Sequence, residues 1–401
     1  MLAHDPYDLL GRLRDHLSTR DAPLTFLMGA GTSGSVNVAP PPAHGEDREF
    51  FPLIPAIAEL TEQVRERCIN HDSKFGCAWD GLSQACSDRG RTPNIEEILG
   101  LLRLTTEAIT PSNFAFTLSA SELKELEGAI QRAITDIASP IEADIPDKLP
   151  HGLFAEWIRN AERTHPVEIF TTNYDVLIER SLELAHLPVF DGFVGSYQPF
   201  FVPASVVPPE ANAATRIWKL HGSVNWSLGA GGGVRKGATG DGAMILPSHL
   251  KYDESRKMPY LALMDRLGHA VARGSSTTFT CGYSWGDQHV NATLLSGLET
   301  APTSAIFALM YGDINDTDGV VEYALKHRNL TVVGRNAAVV RGTFAGWALP
   351  PSTGAAPNDF LSTCVSEDRS LAPTSARVHL GDFNMFAGYL DAMSNQRLGR
   401  S

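Results

Sequence analysis

Apolar positions recur along the chain with helical spacing in some stretches and as short unbroken runs in others, and the changes between them mark its elements. Residues 7–17 place Leu9, Leu10, Leu13 and Leu17 on one helical face. Residues 24–28 form a short apolar run that predicts a strand ending in a glycine turn. Residues 34–52 are proline-rich and read as a loop over that turn. Ile54, Ile57, Leu60 and Val64 return to helical spacing, and residues 70–93, polar and turn-rich, read as an insertion. Residues 94–165 are expected to be mostly helical. Asn94 is suited to cap a helix, Glu96 and Glu97 sit in the first turn where the helix dipole favours them, and Ile95, Ile98, Leu99 and Leu102 make the apolar stripe. Residues 123–137 and 153–161 repeat that stripe.

Beyond this stretch the periods alternate. Strands are expected at 167–171, 216–220, 243–246, 278–281, 305–310 and 330–333. Helices are expected at 175–186, 260–272, 289–298 and 320–326. Alternating strands and helices predict an α/β fold, a Rossmann-like parallel sheet covered on both faces. Residues 94–165 would then be a helical subdomain inserted into one domain spanning 1–401. Residues 341–375, rich in glycine, proline, serine and threonine, read as a surface loop, and 376–401 holds a C-terminal helix at 383–393.

Bulk composition narrows the partners. The chain is 43% hydrophobic and 20% charged, ordinary for a protein with a buried core. Its net charge of −13 gives it no attraction for phosphate backbones, so no direct nucleic-acid partner is expected. The five cysteines, Cys68, Cys77, Cys86, Cys281 and Cys364, are scattered and contain no Cys-x-x-Cys pair. That pattern argues against a disulfide framework and for a reducing compartment. The first twenty residues alternate in charge, which is not a signal peptide, and no run of 18 apolar residues exists. No membrane association and a cytoplasmic location are expected.

Four segments at the ends of apolar runs carry the candidate chemistry. They are Gly29-Ala30-Gly31-Thr32-Ser33, Thr171-Thr172-Asn173-Tyr174-Asp175, Leu220-His221-Gly222-Ser223 and Cys281-Gly282-Tyr283-Ser284-Trp285-Gly286-Asp287. The first suggests bare backbone amides suited to a pyrophosphate. It lacks the third glycine of the dinucleotide fingerprint, so a hydride-transferring dehydrogenase ranks low. Each segment alone has a structural alternative: a strand-end turn, a helix cap at Asp175, a hydrogen-bonding histidine. His221 carries an imidazole, a group whose ordinary titration range suits a general base.

In their order along the chain, the segments resemble the NAD site of the sirtuin (silent information regulator 2) family. Pro93-Asn94-Ile95-Glu96-Glu97-Ile98-Leu99 and Leu380-Gly381-Asp382-Phe383-Asn384 resemble its bacterial branch that hydrolyses NAD in anti-phage defence. The resemblance implies that Asn173, His221 and Asp175 do the chemistry: His221 as base, Asn173 on water or ribose hydroxyl, Asp175 on the carboxamide. It implies that Gly29, Ala30, Gly31, Thr32, Ser33, Thr172, Gly282 and Ser284 hold NAD, which is substrate rather than resident cofactor. It also implies a homo-oligomer working beside a HerA-like ATPase. The family's zinc module, two Cys-x-x-Cys pairs, has no counterpart here, so no metal is expected and a protein-deacylase reading is weakened. Two alternatives stay open, a deacylase and a non-catalytic module that binds NAD or ADP-ribose.

Overall fold

The computed structural model describes residues 3–40, 49–110, 112–206, 214–229, 233–237, 242–244, 258–349, 363–368 and 375–397. Its centre is a 10-stranded sheet. In chain order the strands are β1 (Ala3–His4), β2 (Leu24–Met28), β3 (Glu168–Thr171), β4 (Val189–Phe190), β5 (Thr215–Lys219), β6 (Thr277–Cys281), β7 (Ala305–Leu309), β8 (Leu330–Val333), β9 (Ala337–Val340) and β10 (Thr343–Trp347). Across the sheet they run β1-β10-β9-β8-β7-β6-β2-β3-β5-β4. Neighbours pair parallel except β8 with β9 and β9 with β10. From β2 the chain winds outward to β3 and β5, then crosses to β6 on the other side of β2 and winds away again. The order therefore reverses at the β2–β6 boundary, the place where open α/β sheets bind ligands beyond the carboxyl ends of their strands.

Twelve helices complete the frame used below. They are α1 (Pro6–Ser18), α2 (Ala30–Gly34), α3 (Ile57–His71), α4 (Lys74–Ser87), α5 (Ile95–Ala108), α6 (Ala120–Ile137), α7 (Pro150–Asn160), α8 (Leu177–Leu184), α9 (Tyr260–Val271), α10 (Gln288–Thr300), α11 (Gly319–Lys326) and α12 (Phe383–Arg397). The central strands are buried on both faces, and their apolar residues alternate in which core they feed. Phe26, Ile169, Phe279 and Phe307 enter one core with α1, α7, α8 and α12. Leu27, Phe170, Trp218 and Ile306 enter the other with α9, α10 and α11. Each fully buried Leu or Phe contributes about 1.5–3 kcal/mol relative to exposure.

A third core is built mainly by helices, with Val224 of the strand Gly222–Leu228 packed into it. It joins α3, α4, α5 and α6 through Val64, Phe75, Trp79, Leu82, Ile98, Leu99, Leu123 and Ile130. Asn94 caps α5 by accepting from the backbone N–H of Glu96 and Glu97, at 3.0 and 3.1 Å. Ser119 and Glu122 form a capping box at α6. This layer takes in α3 and α4, before residue 94, whereas α7 packs on the sheet beside α12. Residues 70–93 are thus largely helix rather than turn. Phe75, Ala78, Trp79, Leu82 and Cys86 form a buried stripe at helical spacing, diluted in sequence by small and polar residues. The loop expected over 341–375 likewise contains β10 and a strand Val365–Glu367 that pairs with Ala376–Val378. The expected strand at 243–246 appears as Gly242–Met244, and its remainder lies outside the described residues, as do parts of the 34–52 and 341–375 stretches.

Candidate active site

Pairing register sets the height at which each segment leaves the sheet. Cys281 pairs with Met28, Met28 with Thr171, and Thr171 with Lys219, so the last residues of β6, β2, β3 and β5 form one row. Three further backbone bonds continue that row past the strand ends: Gly29 N–H to Cys281 O (3.0 Å), Thr172 N–H to Met28 O (3.1 Å) and Leu220 N–H to Thr171 O (2.8 Å). Asn173 and His221 each stand two residues beyond it, on strands about 4.8 Å apart.

The glycines of the turn are required first by packing. A Cβ on Gly29 would meet Gly282 O at 2.5 Å, and one on Gly282 would meet the Thr32 nitrogen at 2.4 Å. Gly282 also has φ +59, which favours glycine. Gly31 N–H donates to Gly282 O at 2.9 Å and Thr32 N–H to Gly29 O at 2.9 Å. The expectation of bare amides is therefore corrected for Gly29, Gly31 and Thr32, whose N–H groups are engaged inside the protein. The close approach of the two loops leaves them no other direction. Ala30 and Gly31 are exposed, while Thr32 and Ser33 are buried.

Side chains tie this turn to the end of β3. Asn173 Nδ2 donates to Thr32 Oγ1 at 3.1 Å and to Ser33 Oγ at 2.9 Å. Thr32 Oγ1 donates onward to Gly29 O at 2.9 Å, and Ser33 Oγ to Asp175 Oδ2 at 2.7 Å. Asp175, 5% exposed, uses its other oxygen to accept from Leu177 N–H at 3.0 Å, at the start of α8. It is therefore a member of the cluster that also holds the first N–H of α8, while Val176 occupies the cap position. Lys219 Nζ donates to the Asp175 carbonyl and pairs with Glu179 at 3.0 Å, which anchors the loop from below. One atom of the cluster is left over: Asn173 Oδ1 is buried and accepts no hydrogen bond from the protein. A buried acceptor in that state costs about 1–3 kcal/mol, so it calls for a donor from elsewhere.

His221 has a partner the sequence did not mark. Its Nε2 lies 3.2 Å from Asp287 Oδ2, with both side chains largely buried. Asp287 Oδ1 meanwhile caps α10, accepting from His289 N–H at 2.9 Å and Val290 N–H at 3.2 Å. The helix thus holds the carboxylate, and the carboxylate orients the imidazole. With Nε2–H directed at Asp287, the ring's lone pair falls on Nδ1. The loop carrying Asp287 is itself fixed. Tyr283 donates to Asn291 Oδ1 (2.7 Å), Asn291 Nδ2 to Trp285 O (2.7 Å), and Trp285, at φ +59, donates its indole N–H to Thr280 (3.2 Å). Ser284 is exposed, and its Oγ accepts from Gly286 N–H at 3.3 Å. Thr172 is half-buried beside Asn173. His289, the other histidine of interest, is exposed at the start of α10.

The described residues contain no helix long and apolar enough to cross a membrane. All five cysteines are free thiols, four of them buried. Residues 167–333 match the family model of the SIR2-like domain. That span holds Asn173, Asp175, His221, Gly282, Ser284 and Asp287 but not the glycine turn. No curated protein matches the chain. Among solved structures, a Sir2 homologue bound to NAD is 14% identical, with a TM-score of 0.30 over 80% of this chain and 87% of that one. A mutant Sir2 homologue bound to ADP-ribose is 15% identical, with a TM-score of 0.30 over 76% of this chain and 86% of that one. Likeness that distant carries nothing about ligand or activity.

Proposed function

We propose that the chain is an NAD hydrolase that cleaves the bond between nicotinamide and ribose. The observation that carries this reading is the orphaned Asn173 Oδ1, held beside the glycine turn at the sheet's reversal point, with the His221–Asp287 pair one strand away. The SIR2-like match over residues 167–333 supports an NAD-related reading.

The chemistry asks for little. Nicotinamide leaves as a neutral molecule because its ring nitrogen is cationic before cleavage, so no strong acid is needed. The bond between the ribose C1′ and that nitrogen breaks through an oxocarbenium-like state, as in glycoside hydrolysis. Water adds its oxygen to C1′ and gives up a proton, yielding ADP-ribose. In this assignment Asn173 Oδ1 accepts from the water or a ribose hydroxyl. His221 takes the proton on Nδ1, and Asp287 keeps the ring oriented. Asp175 positions Ser33, and through it Asn173, and its remaining lone pairs suit the carboxamide. Ala30, Gly31, Thr32, Ser33 and Thr172 frame the phosphates and ribose, with Gly282 and Ser284 toward the adenosine.

An enzyme that consumes NAD is toxic unless controlled. We infer that it acts in the cytoplasm as the effector of an anti-phage system, as a homo-oligomer with a HerA-like ATPase. The sequence resemblance supports this, as does an acidic charge unsuited to sensing nucleic acid directly. The central test is loss of free NAD without any peptide present. His221→Ala should slow it by about 10²–10⁴-fold, the range of a general base. Cleavage that appears only with an acylated peptide would make the chain a deacylase. Wild-type cleavage by His221→Ala would remove His221 from the chemistry. Co-expression with the neighbouring gene product and mass measurement in solution tests the assembly, and a monomer indifferent to that product sinks it.

A further inference from the structure

A cavity lies at the opposite end of the same strands. Thr25, Glu168 and Arg216 pair in one row near the starts of β2, β3 and β5. They line a cavity of about 460 Å³ together with Arg266 and His269 from α9, Arg273 just after it, and His165. That row is about 10 Å along β3 from the row that carries the candidate active site.

Charge in this cavity runs against the rest of the molecule. The chain carries −13 overall, yet three guanidinium groups here face one carboxylate. Glu168 is shared: it accepts from Arg216 at 3.1 Å, from Trp218 Nε1 at 3.0 Å and from Arg266 Nε at 2.8 Å, with a second, closer contact from Arg266. One carboxylate cannot balance three fixed cations. Arg273 reaches His165 rather than an acid, its guanidinium 3.3 Å from Nδ1. Arg216 is 6% exposed, and its Nε has no partner in the protein. Burial pushes the Arg216 guanidinium below its ordinary value, offset by Glu168 and reinforced by Arg266 and Arg273. A buried donor without an acceptor, in a cavity with surplus positive charge, points to an anion.

We propose that this cavity is a second ligand site, specific for a phosphate monoester of a small metabolite. Two quantities choose that class. The surplus over Glu168 is two positive charges, which a phosphate monoester dianion balances and a carboxylate does not. The volume exceeds what a bare phosphate fills and falls in the range of small-molecule sites, roughly 300–1,000 Å³. Guanidinium groups bind phosphate bidentately, and the Thr25 hydroxyl adds a neutral contact.

The test is isothermal titration of the full chain with ribose 5-phosphate, ribose and inorganic phosphate. Ribose 5-phosphate should bind, ribose should not, and inorganic phosphate should bind more weakly. Arg273 is exposed, so Arg273→Glu should keep the wild-type thermal midpoint while weakening ribose 5-phosphate about tenfold or more. Arg273→Lys should recover part of that loss. Asn173→Ala, at the other end of the strands, should bind as wild type. Heats with ribose 5-phosphate equal to those with ribose overturn the proposal. So does binding lost in Asn173→Ala and retained in Arg273→Glu, which would place the ligand in the candidate active site.

Discussion

Besides His221, two side chains decide the chemistry proposed for the site, and each fails in its own way. Asn173→Asp keeps an acceptor but removes the donor to Thr32 and Ser33, and it sets a second carboxylate beside Asp175. Both Asn173→Asp and Asn173→Ala should lose NAD cleavage by about 10²-fold or more. Rapid cleavage by either makes the residue a structural tie. Asp287→Asn keeps an oxygen for the α10 cap and loses the carboxylate facing His221. Its kcat should fall about tenfold or more with KM little changed, since it removes orientation rather than binding. That Asn173 and His221 follow strand ends was legible in sequence, because each comes after a strand-like run. Asp287 stood in a recognised segment, but its role was not, because only the sheet brings α10's start against the end of β5. A fourth residue works through solvation. His151 is buried, and burial, partly offset by Asp175, lowers its pKa to about 4 from an ordinary 6.5. The unfolded chain takes up a proton there that the folded chain refuses. The neutral ring therefore stabilises nothing extra above pH 6.5, and stability falls as pH drops from 6.5 toward 4, by at most on the order of 3 kcal/mol. Urea unfolding at stepped pH should show that decline, and His151→Leu should flatten it.

At the scale of elements, the junction between the β2 turn and the β6 loop leaves no room for a side chain. Gly282→Ala meets the Thr32 nitrogen at 2.4 Å and forces a side chain onto φ +59. It should lower stability by about 1–3 kcal/mol and weaken NAD binding, read from the thermal midpoint with and without NAD. A variant with wild-type midpoint and affinity would show that the junction yields freely. The sequence revealed the glycines but assigned them to phosphate, because a turn that meets a ligand and one that meets another backbone have the same composition. α4 was hidden for a related reason. Gly76, Gly81 and Ser83 interrupt its stripe, and only the partners α3 and α5 make Trp79 and Leu82 read as core. By contrast α5 was legible down to its Asn94 cap, since capping is local.

The whole molecule places its proposed chemistry where three cores meet. The sheet's two cores end at the row beneath the site, and Tyr174, Val176 and Val224, just beyond the site residues, pack on the helical third. The α/β class and the parallel order followed from the alternation of periods. The position of the sheet's reversal did not, because strand order depends on pairings that no single segment encodes.

The wiring of β2 also sets when the proposed activity can arise during synthesis of the chain. β2 is made early, yet its neighbours are β3 and β6, whose residues follow only after long intervening stretches. Asn384 at the start of α12 donates to Ser35 O, just past the glycine turn, across 349 positions of sequence at 2.8 Å. Contacts that span so much chain form late, because closing a long loop precedes any gain from the contact. A ribosome-bound chain halted before α12 should therefore lack NAD cleavage, and activity should appear once residues beyond 390 have emerged. Stalling the nascent chain at successive lengths and measuring NAD loss would show whether translation itself acts as the first safeguard on the proposed NAD hydrolase.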